Sequence, residues 1–345
     1  MPILTQCMRD ALLRYGHEPV VINLAAPALG QGVFQRAGRL LTVSRKFLSF
    51  SYLLLMRRVG TVYLAVSGGL GQLYDVAFLL VARVCHARVF LHHHSYAYID
   101  RQRLVARLLT AAAGRSAVHF VGCEHQGRTL EGYYPHVRRV RVLSNAALIE
   151  HLVPREAAPR PRLNTVGFLG NISLAKGILE FLEVIAALRR GSVNLRALIA
   201  GPFAEPRARA VVLSKVRTLE GVSYVGPRYG PEKRAFYSEI DALLFPTRYA
   251  NETAPVTIYE ALASSVPVIA WERGCIRSII ENDGGLVVPR DADYVSAAVA
   301  QIVDWAAAPE TFARASANAY RRFIHMANRA RPDLAHALSS LTTSG

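Results

Sequence analysis

The amino-acid sequence predicts an α/β protein with two domains, each built around a parallel sheet. Short apolar runs rich in β-branched residues alternate with helical patterns along the chain, which is typical of strands joined by crossover helices. The length of 345 residues exceeds what one hydrophobic core usually supports. A hydrophobic content of 52% indicates a globular chain rather than a disordered one.

The first half of the chain is predicted to begin with a helix over Thr5–Tyr15, not with a strand. Five strands are predicted after it: Val20–Leu24, Thr61–Val66, Ala87–Leu91, Ala117–Val121 and Val140–Leu143. In a doubly wound sheet the first strand is central, and a glycine-rich loop follows it. Both features are missing here, so we predict that the N-terminal domain lacks its first strand. A strand encoded in frame upstream of Met1 would show that the working protein is longer.

The second half is predicted to contain six strands: Thr165–Leu169, Leu195–Ala200, Val222–Val225, Ala242–Phe245, Val268–Trp271 and Leu286–Val288. A long helix is predicted from Glu310 to Ala330, ending before Pro332. The predicted domains are an N-terminal domain (1–152), a proline-rich hinge (153–162), a C-terminal domain (163–308) and a C-terminal helix (309–345) that packs back toward the N-terminal domain.

Two glutamates, Glu252 and Glu260, lie on either side of a predicted helix start. Pro255 suits the first turn of that helix because its missing N–H costs nothing there. The free N–H groups near Val256 and Thr257 favour an anion such as a diphosphate. The alternative is an acidic residue that complements the helix dipole together with an unrelated surface glutamate.

A second motif, Phe168–Gly177, predicts a strand, a tight turn at Gly170-Asn171 and a helix start. Lys176 in this motif could neutralise a diphosphate as a point charge. Taken alone, such a lysine is usually a solvated side chain.

Three consecutive histidines, His92, His93 and His94, end a predicted strand, where α/β sheets bind their ligands. Neighbouring strand residues point to opposite faces, so the three cannot share one metal ion. The alternative is that they cap strand backbone groups.

The segments from Asn251 to Ala270 and from Phe168 to Gly177 resemble the retaining, nucleotide-sugar-dependent glycosyltransferases of family 4 (glycosyl transferases group 1), whose GT-B fold has two Rossmann-like, doubly wound domains facing a cleft. The resemblance covers most of the chain and is strongest from Val166 to Pro289. It implies that the C-terminal domain holds the donor and that no metal or other cofactor is needed beyond the nucleotide-diphosphate sugar.

The resemblance also implies roles for single residues. Glu252 contacts the donor sugar, Glu260 binds the ribose, and Lys176 neutralises the diphosphate. His94, with His92 as the second choice, lies beside the donor sugar. The catalytic set is thus Glu252, Lys176 and His94, and the donor-binding set is Gly170, Asn171, Lys176, Pro255, Val256, Thr257 and Glu260.

The sequence departs from the family's pattern at three places. Thr253-Ala254-Pro255 stands where Gly-Phe-Gly is common, and Ser265 replaces a glycine. Asn171 stands near the place where an arginine is common. Arg248 or Lys233 from neighbouring loops could replace that charge.

The formal net charge is +16, and residues 1–150 contribute 18 basic against 7 acidic residues, or +11. No nucleic-acid-binding motif accompanies the arginines, which makes nucleic acid the weakest of the candidate partners. Residues 40–60 combine an apolar stretch with basic ends and could lie on a membrane surface, or could form an ordinary buried crossover helix. We expect a glycan or polyprenyl-diphosphate-linked acceptor in bacterial surface polysaccharide assembly, and a cytoplasmic protein at the inner face of the membrane. The competing functions are a sugar-nucleotide epimerase and a non-catalytic scaffold that binds nucleotide or associates with the membrane.

Overall fold

The computed structural model describes residues 3–24, 33–281 and 283–343, without the side chains of residues 33–40. The chain divides into two compact units. Unit 1 comprises Met1–Ser144 and Arg331–Gly345, and unit 2 comprises Asn145–Ala330.

Unit 1 contains a four-stranded parallel sheet in the order β1-β2-β3-β4. Its strands are β1 (Thr61–Val66), β2 (Arg88–His93), β3 (Val118–Val121) and β4 (Arg139–Val142). Its helices are α1 (Ile3–Arg14), α2 (Val33–Leu55), α3 (Gln72–Val84), α4 (Ala97–Asp100), α5 (Leu104–Ala113) and α6 (Glu124–Tyr133). Leu79, Leu91 and Leu109 form part of a core in which helices α3 and α5 pack on the strands.

The prediction of a strand at Val20–Leu24 is wrong, because residues 17–24 form neither helix nor strand. Val20 and Val21 are 61% and 46% exposed. An apolar, β-branched run becomes a strand only where a neighbouring strand and a buried face receive it. The other four predicted strands of this half are confirmed: Thr61–Val66 matches at both ends, and the ends of the other three differ by at most two residues.

Unit 2 contains a six-stranded parallel sheet in the order β10-β9-β8-β5-β6-β7. The strands are β5 (Thr165–Leu169), β6 (Arg196–Ala200), β7 (Val222–Tyr224), β8 (Ala242–Phe245), β9 (Val268–Trp271) and β10 (Gly285–Val288). The helices are α7 (Asn145–Ile149), α8 (Ile178–Arg190), α9 (Pro206–Thr218), α10 (Gly230–Glu239), α11 (Val256–Ala263), α12 (Ile276–Ile280) and α13 (Tyr294–Ala307). The last helix, α14 (Pro309–Thr342), begins in unit 2, and its residues from Arg331 onward belong to unit 1.

Within unit 2 this order is the doubly wound order 3-2-1-4-5-6, and all six predicted strands are confirmed to within one residue at each end. The chain leaves β5 toward β6 on one side and returns to β8 on the other. The carboxyl ends of β5 and β8 therefore flank the topological switch point, where sheets of this kind bind ligands.

The predicted end of the last helix before Pro332 is also wrong, because α14 continues through this proline to Thr342. A proline inside a helix removes one hydrogen bond and costs about 3 kcal/mol. Burial of Leu338 and Leu341 in the following turns offsets this cost. The Arg88 guanidinium also donates to the carbonyls of Ser340 and Thr343 at the helix end. In the described part of the chain, no helix is long and apolar enough to cross a membrane.

Candidate functional site

A cavity of 100 Å³ opens in unit 2 at the carboxyl ends of β5 and β8. It lies at the switch point of the sheet and beside the starts of α8 and α11. Nine residues line it: Phe168, Leu169, Gly170, Lys176, Phe245, Glu252, Pro255, Val256 and Thr257. The two separate sequence motifs thus meet at one place.

Gly177, the N-cap of α8, fixes the position of Lys176. Gly177 has a left-handed backbone with a φ of 84°, and a Cβ atom added there would lie 2.0 Å from the carbonyl oxygen of Pro246. Only glycine therefore lets the start of α8 lie against the end of β8. The Lys176 ammonium lies 4.8 Å from the centre of the Tyr249 ring and forms an ion pair with Glu252.

Glu252 is only 8% exposed and accepts hydrogen bonds from Lys176 and, at 3.2 Å, from the hydroxyl of Thr247. Two hydrogen bonds from other parts of unit 2 hold the loop that carries Glu252. The buried Asn145 amide donates to the carbonyl of Ala254 at 2.8 Å, and the Cys275 N–H donates to the carbonyl of Thr253 at 2.7 Å. The carboxylate is therefore held in place without a ligand.

Glu260 lies on α11 and is equally buried. It is 2.5 Å from the Lys233 ammonium and accepts a hydrogen bond of 3.0 Å from the Tyr237 hydroxyl. Burial, and then the Glu260 carboxylate, raise the pKa of Tyr237 well above its usual value, so this phenol remains a donor. Each glutamate of the pair thus has its own lysine. Tyr237 was not among the predicted site residues, because a tyrosine beside Phe236 on α10 is read as an ordinary core residue.

The two basic residues considered as substitutes for the missing arginine occupy other places. Lys233 pairs with Glu260, and the Arg248 guanidinium lies 3.9 Å from the centre of the Trp271 ring and 3.6 Å from the Glu180 carboxylate. Asn171 is exposed and does not line the cavity. Lys176 is the one basic side chain among the described residues that line it.

The cavity also lies at two helix N-termini, those of α8 and α11. The first N–H groups of a helix have no acceptor within the helix, and the helix dipole makes that end attractive to anions. With Lys176, these groups suit a phosphate or diphosphate. Among the described residues, no three histidine, cysteine or acidic side chains are arranged to hold a metal ion.

His94 lies in unit 1, one residue beyond β2. Burial lowers the pKa of His94 to about 4, so its ring is neutral at physiological pH. Its Nε2 atom is buried without a hydrogen-bond partner in the part of the chain that the structure describes. The centre of the His92 ring lies 4.0 Å from that of His94, with the two ring planes tilted at 40°, and Nδ1 of His92 lies 2.7 Å from the Tyr63 hydroxyl. His94 therefore has a buried ring nitrogen that can bond a ligand.

His93 points elsewhere and belongs to a buried polar network. Its Nδ1 lies 2.8 Å from the Tyr98 hydroxyl, and its Nε2 lies 3.0 Å from Nδ1 of His119. Burial lowers the pKa of both rings, that of His119 to about 4. The contact between His93 and His119 links β2 to β3.

Two parallel α/β sheets, one of them doubly wound with its cavity at the switch point, are the features of a GT-B protein. Solved structures support this class. Sucrose-phosphate synthase from Thermosynechococcus elongatus matches with a TM-score of 0.71 at 15% identity. The match covers 98% of this chain and 92% of the synthase chain. Anabaena HepE in complex with UDP-glucose has a TM-score of 0.67 at 17% identity, with 96% and 89% covered. The GT-B fold predicted from the resemblance is confirmed.

The family model described as glycosyl transferases group 1 matches residues 163–304, so the predicted resemblance to this family is confirmed. A curated relative, the MMP alpha-(1->4)-mannosyltransferase of Mycolicibacterium hassiacum, is 24% identical over 285 residues. That match covers 75% of this chain and 64% of the length of the relative. The family match falls within unit 2 and includes the whole cavity.

Proposed function

We propose that this protein is a family 4 glycosyltransferase that moves a sugar from a nucleotide-diphosphate sugar to a hydroxyl group with retention of anomeric configuration. The observation that carries the proposal is the cavity in which Lys176, Glu252 and the start of α11 meet. It offers a cation and two helix starts to a diphosphate, and a buried carboxylate to sugar hydroxyls.

The ion pair between Lys176 and Glu252 suggests how the donor is received. The diphosphate attracts Lys176 away from Glu252, and the hydroxyls of the sugar then donate to the released carboxylate. Glu260 takes the ribose hydroxyls while Tyr237 and Lys233 hold it in place. The separation of Lys176 from Glu252 thus lets the first bind the diphosphate and the second bind the sugar.

Breaking the bond between sugar and phosphate leaves positive charge at the anomeric carbon and negative charge on the departing diphosphate. Lys176 and the helix N–H groups near Val256 stabilise the leaving group, so no metal or other cofactor is required. The acceptor hydroxyl attacks on the face from which the diphosphate departs, and its proton passes to the departing diphosphate oxygen. His94, neutral at physiological pH, is proposed to hydrogen-bond the donor sugar through its free ring nitrogen.

A UDP-hexose is the first donor to test, because HepE was solved with UDP-glucose. We propose a glycan or polyprenyl-diphosphate-linked acceptor in bacterial surface polysaccharide assembly. The excess of basic residues in the first half of the chain supports an anionic, lipid-linked acceptor. It also supports a cytoplasmic protein held at the inner face of the membrane.

The test is release of nucleotide from UDP- and GDP-hexoses, with and without a polyprenyl-diphosphate-linked glycan. We expect release that depends on the acceptor, and a loss of about 10²–10³-fold in kcat for Glu252→Gln. Glu183→Gln, an exposed glutamate on α8, is the matched control. NMR of the product gives its anomeric configuration. Tight nucleotide binding with no turnover for any donor and acceptor would identify a non-catalytic scaffold instead.

A further inference from the structure

Three helices of unit 1 display large apolar side chains to solvent. They pack side by side, with α3 between α2 and α5. Each helix carries its exposed residues at helical spacing, so that they form one stripe per helix. The stripes are Leu41, Leu48, Tyr52 and Leu55 on α2, Leu73, Leu80 and Val84 on α3, and Leu104 and Leu108 on α5, each between 49% and 78% exposed.

An apolar recess of 310 Å³ opens between α2 and α3. Its lining comes from Val43, Ser44, Phe47 and Leu48 of α2 and from Tyr74, Ala77 and Phe78 of α3. Leu48 belongs both to the exposed stripe and to the recess. Phe47 packs edge-on against Phe78 at 5.3 Å between ring centres, which fixes α2 against α3. A connected apolar surface of this kind is unusual for a protein that meets only water.

The charge around this surface is almost wholly positive. Residues 19–123 contain 12 arginines and lysines but only two acidic residues, Asp75 and Asp100. Asp75 is 1% exposed and accepts hydrogen bonds from Ser67, so it presents no charge to a partner. Exposed basic side chains lie on or beside the same helices: Arg45, Arg57, Arg58, Arg101, Arg103 and Arg107. An apolar surface bordered by cations matches the headgroup layer of an anionic bilayer.

We propose that α2, α3 and α5 together form a membrane-docking face that lies in the plane of an anionic phospholipid surface. The leucines enter the boundary between headgroups and acyl chains, and the arginines meet the lipid phosphates. This assignment adds two helices to the segment 40–60 that the sequence singled out. It deepens the membrane location within the proposed function, and it is tested without any sugar donor, so the two proposals can fail separately.

The test is flotation of the full-length chain with vesicles of phosphatidylcholine containing about 30% phosphatidylglycerol, in about 0.1 M salt. One leucine per helix is changed separately, in Leu48→Asn, Leu80→Asn and Leu104→Asn. Each change is expected to weaken vesicle binding at least about fivefold, because each removes a buried apolar contact. The charge variant, Arg45→Gln with Arg57→Gln and Arg107→Gln, is expected to weaken binding about 100-fold, or about fivefold per charge.

The controls lie in unit 2. Val303→Asn replaces another exposed apolar residue, and Arg207→Gln with Arg209→Gln and Arg217→Gln removes three exposed charges from α9. Both are expected to bind vesicles like the parent chain. A circular dichroism melt of each variant tests whether it is folded, and only folded variants are compared.

Three results would overturn the assignment. Equal binding to vesicles of pure phosphatidylcholine would remove the role of charge. Loss of binding in Leu48→Asn alone would reduce the face to one helix. Self-association that the leucine variants abolish, without any vesicle binding, would identify a second copy of the chain as the occupant.

Discussion

Replacement of Gly177 by alanine tests how the cavity is built. The left-handed backbone at this position costs a residue with a Cβ atom roughly 1–2 kcal/mol. The new methyl group would start 2.0 Å from the Pro246 carbonyl oxygen, so α8 or the end of β8 must move by about 1 Å. Overpacking of this kind costs about 1–3 kcal/mol, which gives a total loss of roughly 2–5 kcal/mol.

Gly226→Ala is the matched control, because Gly226 has a similar φ of 81° but open space where the methyl group would go. It should lose only the backbone cost of roughly 1–2 kcal/mol. Both tryptophans, Trp271 and Trp305, are buried in unit 2, so their fluorescence during urea unfolding reports the stability of this unit. Because Lys176 precedes Gly177, the Gly177→Ala variant should also lose nucleotide affinity, while Gly226→Ala keeps it. Equal losses of stability in the two variants would refute the close approach of α8 to β8.

Three further predictions concern charge and protonation. Lys176→Met should lower kcat by about 10²–10³-fold with an intact fold, measured as nucleotide release. Tyr237→Phe removes one donor from a buried carboxylate, so it should cost about 1–3 kcal/mol in urea unfolding and raise the KM for the donor. Unit 1 should lose stability as the pH falls from 6.5 toward 4, because its buried histidines, His93 and His119 among them, bind protons more readily when unfolded. For each such histidine, the free energy of unfolding should fall by up to about 1.4 kcal/mol per pH unit. Hydrogen exchange of the sheet amides measures this change. Asp75, with a pKa raised to about 6, has the opposite effect, because the folded state binds its one proton more readily than the unfolded state does.

The strands of unit 2 were predictable because they are buried on both faces. Such strands are continuous apolar runs, and β5, β8 and β9 match their predicted bounds. The run at Val20–Leu24 has a similar composition, but it lacks the neighbouring strand that would bury it. Local propensity carries no information about that neighbour. The continuation of α14 past Pro332 depends likewise on tertiary burial and on Arg88, which is distant in sequence.

The candidate site was predictable where chemistry and local geometry coincide. Lys176 follows a turn and Glu252 precedes a helix start, and both features are visible in short stretches of sequence. The supporting residues were not predictable. Asn145 and Tyr237 lie 109 and 23 residues from the groups they bond, and a buried asparagine or tyrosine has no distinctive sequence pattern.

The formal charges at the candidate site explain why each of the two glutamates is paired with a lysine. Lys176 and Lys233 balance Glu252 and Glu260, so the four side chains together carry no net formal charge. A nucleotide diphosphate adds about two negative charges, and the two helix starts offer only about half a positive charge each. Asn171 adds none. In the proposed reaction, Lys176 must therefore exchange Glu252 for the diphosphate, and the sugar hydroxyls must replace Lys176 at Glu252. Because each step removes the cost of the other, the effects of Lys176 and Glu252 variants on donor binding cannot be additive.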